Sequence, residues 1–204
     1  MSIKTYRNLI DGKWVEARSG ATYELPNPAT EETVAAAADS DRADMVEAIA
    51  AARRAFDEGP WPRSSREERA RVLEAMAAGL ERRKEEFREI LVAAHAAEYM
   101  THFVQLDTPI EQLRSYAELA RSYAFEQPLP TATAVTPMGE AEVSALTYRQ
   151  PVGVCGLIPT WNFPLYVSVQ KLGPALATGC TMVVKPSPWG PLIDLMLAEL
   201  VEEA

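Results

Sequence analysis

Between Gly153 and Pro191 two short apolar runs flank one longer amphipathic segment, and no other stretch limits the possible folds as tightly. Val152–Ile158 is rich in β-formers and free of charge, the pattern of a strand buried on both faces. Pro159 to Pro164 stops that run. Leu165–Leu176 then has the length of a crossover helix, with Gly179 placed to end it. Thr181–Val184 reads as a second buried strand, halted by Lys185 and Pro186, and the turn beyond them opens another helix. The unit is βαβ, so its strands are expected to be parallel with a right-handed crossover. Ligands of such sheets sit beyond the carboxyl ends of the strands, here Pro159–Pro164 and Lys185–Pro188. The fold class is therefore α/β.

Charge narrows the function classes. The 204 residues are 24% charged with a net charge of −9, which describes an acidic globular protein and argues against a phosphate-backbone binder; no nucleic-acid partner is expected. No apolar run reaches membrane-spanning length, and MSIKTYRNLIDGK lacks the apolar core of a signal peptide, so no membrane partner is expected either. The two cysteines, Cys155 and Cys180, have no metal-like spacing, and a reduced cytoplasmic setting fits them.

The rest of the chain divides by periodicity. Asn8–Val15 is expected to be a hairpin turning at Asp11-Gly12, and Thr22–Leu25 and Thr33–Ala38 are short strands. Met45, Ile49, Ala52 and Phe56 recur at helical spacing until Gly59-Pro60. Ser64 and Glu67 have the spacing of a capping box, opening a long helix with the stripe Val72, Leu73, Met76, Leu80, Phe87 and Leu91. Within it, the charged run Glu81–Glu86 reads as a solvated face. Leu106–Tyr123 is a third helix, with Thr108 as N-cap, Pro109 at N1 and Glu111 at N3; its buried stripe is Ile110, Leu113, Tyr116, Ala117 and Ala120. Gln127–Thr136 is Pro- and Thr-rich, and Thr136–Arg149 continues as an extended arm or a flexible linker.

PVGVCGLIPTWNFPL followed by KLGPALATGCTMVVKPS closely resembles the start of the cofactor domain in the NAD(P)-dependent aldehyde dehydrogenase superfamily, and the resemblance runs from Asn8–Trp14 to the last residue. It implies an N-terminal helical and hairpin part of the cofactor domain (1–126), an extended oligomerisation arm (127–150), and the start of an NAD(P)-binding βαβα unit in a doubly wound parallel sheet (151–204). Members oxidise an aldehyde to a carboxylic acid with NAD or NADP. A cysteine attacks the aldehyde, hydride passes to the cofactor, and an activated water releases the thioester. The family's nucleophilic cysteine and its glutamate base fall in segments beyond Ala204, so residues 1–204 alone are expected to be inactive. Three readings stand: a truncated dehydrogenase, one half of a split enzyme, or a non-enzymatic module associating with full-length relatives. The expected partners are a small aldehyde in full-length relatives and a second copy or a complementing chain.

By the same resemblance Asn162 is the oxyanion amide, steadying the oxygen that becomes negative when a thiolate adds to a carbonyl. Read from its position alone, Asn162 caps the helix that follows. Lys185 matches a lysine that contacts the adenosine ribose or its phosphate, and Ile158 and Trp161 match the lining of the cofactor groove. Ser187 is a weaker candidate that also suits a turn. The chain departs from the family in four places: Pro188 replaces a glutamate that accepts from the ribose hydroxyls, Thr160 is inserted in the usual Pro-Trp turn, Cys180 replaces a common asparagine, and Ala96–Met100 replaces the usual Glu-Thr-Gly-Lys-like helix ending. Cys155 and Cys180 lie in or beside apolar strands and are read as structural. His95 and His102 lack a partner at metal spacing, so no metal is expected. The G-x-G-x-x-G fingerprint is absent, and the resembled family binds its cofactor without it.

Overall fold

The computed structural model describes residues 4–95 and 101–204. β1 (Thr5–Tyr6) runs parallel to β5 (Thr33–Ala38), which pairs on its other side with antiparallel β4 (Thr22–Pro26). β2 (Asn8–Ile10) and β3 (Lys13–Val15) form the expected hairpin. Both turn residues are left-handed, Asp11 at φ 54° and Gly12 at φ 68°, as a two-residue type I′ connection demands.

α1 (Arg42–Asp57) starts from a capping box: the Asp41 carboxylate accepts from the Asp44 amide, and the Asp44 carboxylate accepts from that of Asp41. Its buried face matches the expected stripe only in part: Ala52 is buried as expected, but Ile49 is 48% exposed and Ala51 is buried instead. The reason lies across the interface. Alanines let α1 approach the second strand of the parallel unit closely enough for the Thr181 hydroxyl to donate to the Ala52 carbonyl at 2.8 Å.

The capping box of α2 (Arg66–Arg82) falls one residue later than expected, on Ser65 and Glu68. Ser64 is engaged elsewhere: its hydroxyl donates to the Trp61 carbonyl, closing the 3-10 turn Trp61–Arg63, and accepts from Arg69. The long helix is also two helices. It breaks at Arg83, and α3 (Lys84–His95) follows. Glu81, Arg82, Glu85 and Glu86 are exposed, as expected of a solvated face, whereas Arg83 and Lys84 are half-buried and the Arg83 guanidinium donates to Glu199 at 2.6 Å as well as to Glu86.

Thr108 is not an N-cap. A π-helical turn (Phe103–Asp107) runs directly into α4 (Thr108–Ser122), the Thr108 amide bonds five residues back to Phe103, and its hydroxyl donates to the same carbonyl. The wider turn accommodates Pro109, which cannot supply an amide to an ordinary helical ladder. The expected stripe of α4 is otherwise found, with Ile110, Leu113, Ala117 and Ala120 buried.

Beyond α4 the chain is paired, not a loose linker. β6 (Glu126–Pro128) pairs with β9 (Leu146–Tyr148), and between them β7 (Ala132–Thr136) pairs with β8 (Gly139–Val143). The arm is exposed almost throughout.

The closing unit follows the sequence expectation: β10 (Val154–Leu157) and β11 (Thr181–Val184) are parallel, with α5 (Pro164–Thr178) between them and α6 (Leu192–Glu203) after them. Gly179 ends α5 at φ 82°, the left-handed cap expected of it. Burial on both faces is not found, as β11 is only half-buried along its length. Cys155, Met182 and Val184 pack against the core, whereas the edge of β11 away from β10 pairs with no strand among the described residues. Both ends of the chain share that core: Leu73, Met76 and Leu80 of α2 are fully buried with Leu113 of α4, Leu165 of α5 and Leu192 and Met196 of α6. Each such side chain contributes about 1.5–3 kcal/mol through burial.

Candidate active site

The carboxyl ends of β10 and β11 are fixed side by side. Leu157 lies opposite Val184, and the Lys185 amide extends the ladder by donating to the Leu157 carbonyl at 2.8 Å. Ile158 and Lys185 therefore leave the sheet as neighbours, one into the loop before α5 and the other into the loop before α6. Ile158 is 68% exposed and Trp161 54%, large apolar surfaces held at the rim without cover.

Asn162 is exposed and does not cap α5: the cap position is Phe163, and no side chain bonds there. The helix start is served from a distance instead. Gln105, buried in the π-helical turn, accepts from the Tyr166 amide through a long 3.5 Å bond. Pro164 at the first helical position needs no acceptor, and no hydrogen bond of the exposed Asn162 side chain is found among the described residues. Sequence reading missed Gln105, since nothing local distinguishes a glutamine that reaches another helix.

Lys185 is exposed, and its ammonium rests on the Pro186 carbonyl at 3.1 Å. Ser187 starts a turn, its hydroxyl accepting from the Trp189 amide at 3.3 Å and its carbonyl from Gly190 at 3.2 Å. Pro188 is exposed beside them and offers no side-chain acceptor.

A cleft of about 1100 Å³ opens along the free edge of β11, walled by α1, the β2–β3 hairpin, α5 and α6. Lys185, Pro186 and Pro188 reach its rim, whereas Ile158, Trp161, Asn162 and Ser187 stand outside it. Asp194 is set in its wall, 8% exposed, with the Ser168 hydroxyl donating to one carboxyl oxygen at 2.5 Å and the other oxygen buried without a partner. Burial pushes this carboxyl up to about 7, and the Ser168 bond offsets only part of that effect. Sequence reading missed Asp194 too, because an aspartate near the start of a helix ordinarily faces water.

Cys155 and Cys180 are free thiols, half-buried and buried respectively. No cluster of His, Cys, Asp and Glu among the described residues suits a metal ion. His102 is exposed, and Ala96–Met100 lies outside the described residues, as does the His95 side chain. Among the described residues no helix is long and apolar enough to cross a membrane.

Residues 14–204 match the aldehyde dehydrogenase family. The chain is 38% identical over 200 residues to an aminoacetaldehyde dehydrogenase of Pseudomonas aeruginosa, covering 97% of this chain and 38% of that protein. It is 36% identical over 197 residues to the human mitochondrial aldehyde dehydrogenase, covering 96% of this chain and 36% of that one. Among solved structures, a Mycobacterium tuberculosis aldehyde dehydrogenase in complex with NAD+ superposes with a TM-score of 0.84 at 35% identity, over 99% of this chain and 40% of that one. The chain thus spans about two fifths of the length of the relatives it matches.

Proposed function

The chain belongs to the aldehyde dehydrogenase family, and from that membership we propose that residues 1–204 supply the oxyanion amide and one side of the cofactor groove for NAD(P)-dependent oxidation of an aldehyde to a carboxylic acid. The observation that carries this reading is the unengaged Asn162 side chain beyond β10, with Lys185 leaving the neighbouring strand end. A carbonyl oxygen gaining negative charge under thiolate attack is stabilised most by donors already in place, and Asn162 is one such donor. Ile158 and Trp161 offer apolar walls to a nucleotide, Lys185 a cation for its ribose or phosphate, and Ser187 a hydroxyl nearby. NAD or NADP, when bound, supplies the hydride acceptor. Pro188 neither accepts from ribose hydroxyls nor repels a 2′-phosphate, so binding is expected to be weak and nearly indifferent between NAD and NADP.

Residues 1–204 alone do not turn over in this reading. One oxyanion donor contributes about 3 kcal/mol, whereas enzymes lower barriers by roughly 8 kcal/mol or more. The nucleophile, the base and the rest of the sheet come from further polypeptide. The free edge of β11 and the cleft beside it favour such completion, by more of the same chain or by a complementing one. The exposed arm supports contact with a second copy, and two free thiols support a reducing cytoplasm.

Two measurements test the proposal. Purified residues 1–204 should form no NAD(P)H from a panel of aldehydes; turnover abolished by Cys155→Ser or Cys180→Ser would overturn it by making that cysteine a nucleophile. Calorimetric titration should show weak nucleotide binding that Lys185→Ala removes, and unchanged affinity in that variant would take Lys185 out of the site.

A further inference from the structure

Cys155 and Cys180 were separate residues in two apolar stretches, and the sheet brings them together. Cys155 lies opposite Met182 in the parallel ladder, and Cys180 precedes Met182 by two residues. Both thiols therefore stand on one face of the sheet as diagonal neighbours. They interact with each other, and burial, with the Cys180 sulfur adding to it, pushes the Cys155 thiol up. Access is unequal, because Cys155 is half-buried while Cys180 is 2% exposed.

A guanidinium lies beside the residue that precedes the buried thiol. Arg69 is 8% exposed and donates to the Ser64 hydroxyl at 3.2 Å and the Pro62 carbonyl at 3.0 Å. Neither acceptor is charged, and among the described residues no carboxylate hydrogen-bonds to it. The group lies flat on Gly179, where a Cβ would come within 2.5 Å of its Cζ, and negative charge on Cys180 is among the few influences that stabilise its cation. The Thr178 hydroxyl lies 3.5 Å from the same sulfur.

We propose that Cys155 and Cys180 form a redox-modification site, at which a hydroperoxide converts the dithiol into an intramolecular disulfide that locks the β10–α5–β11 unit. The more open Cys155 reacts first: it gives up its proton as its sulfur attacks a peroxide oxygen, the O–O bond breaks, an alcohol leaves with that proton, and a sulfenic acid remains. Cys180 then attacks the Cys155 sulfur and expels hydroxide, which departs as water with the Cys180 proton. Two thiols lose two electrons and two protons; the hydroperoxide is reduced to one alcohol and one water. A small dithiol reverses the change by exchange. The ring so closed contains Asn162 and all of α5, so its state restrains the loop that aims the amide. The chemistry is independent of the dehydrogenase reading and is tested without it.

The experiment treats the folded chain, at low concentration, with tert-butyl hydroperoxide. Expected are loss of both titratable thiols, loss of two hydrogens from the intact mass, a proteolytic fragment joining Cys155 to Cys180, and full recovery with dithiothreitol. The linked fragment should be absent from Cys155→Ser and Cys180→Ser chains, each confirmed as folded by circular dichroism. In concentrated urea the link should form severalfold more slowly, since proximity then depends on the unfolded chain. Oxygen addition without linkage, linkage only between molecules, or equal rates with and without urea would each overturn the proposal.

Discussion

Asp194 holds a carboxyl where a carboxylate is unwelcome. Its acidity moves from the ordinary 3.8 to about 7 on folding, because the apolar wall around it disfavours charge. Between those values the folded chain binds a proton that the unfolded chain has released, so stability falls as pH rises through this window and levels off above it. The full difference corresponds to about 4 kcal/mol in the limit of no structural relaxation. Asp194→Asn removes the ionisation while keeping an oxygen for Ser168. Urea unfolding should show the variant gaining on the parent from pH 4 to pH 7 by a few kcal/mol, then running parallel. A constant offset across that range would show that Asp194 ionises freely in the folded chain. Neither this residue nor Gln105 was legible in the sequence, since both owe their character to partners far along the chain.

At the scale of elements, the interface of α4 with α5 depends on a missing side chain. A Cβ on Gly173 would lie 2.2 Å from the Tyr116 ring, so the two helices approach more closely than an alanine permits. Gly173→Ala should gain a little from helix propensity and lose more to overpacking, for a net destabilisation of about 1–3 kcal/mol. Thermal unfolding of Gly173→Ala beside Gly173→Ala/Tyr116→Leu checks the cause, because the second change should return part of the loss. The elements the sequence disclosed were those with local chemistry: the Asp11-Gly12 turn, the Gly179 cap and the β10–α5–β11 unit all follow from residues adjacent in the chain. Those it misplaced answer to distant partners. Arg83 breaks the long helix where it meets Glu199, Ser64 yields the cap to Ser65 because it serves Arg69, and a π-helical turn takes the place of the Thr108 cap. At the candidate site the sequence supplied Asn162 and Lys185; the uncapped state of Asn162 and the cleft along β11 came only with the packing.

The molecule as a whole presents two surfaces that want company. One is the β11 edge with its cleft; the other is the arm, where Val135 is 85% exposed and Met138 97%. Open strand edges and uncovered apolar tips favour association. Light scattering at micromolar concentration should report a mass above the 22.5 kDa of one chain, and Val135→Thr/Met138→Ser should shift it towards that value. A parent chain that stays monodisperse at one chain's mass would remove the arm from this role. The glutamine beneath α5 carries a different consequence. Because Gln105 receives the Tyr166 amide, the start of α5 takes its bearing from a turn sixty-one residues upstream. Transplanting Pro159–Pro164 into another parallel βαβ scaffold would carry over the letters of the motif and leave its orientation behind. A working graft would have to bring residues 103–107 along.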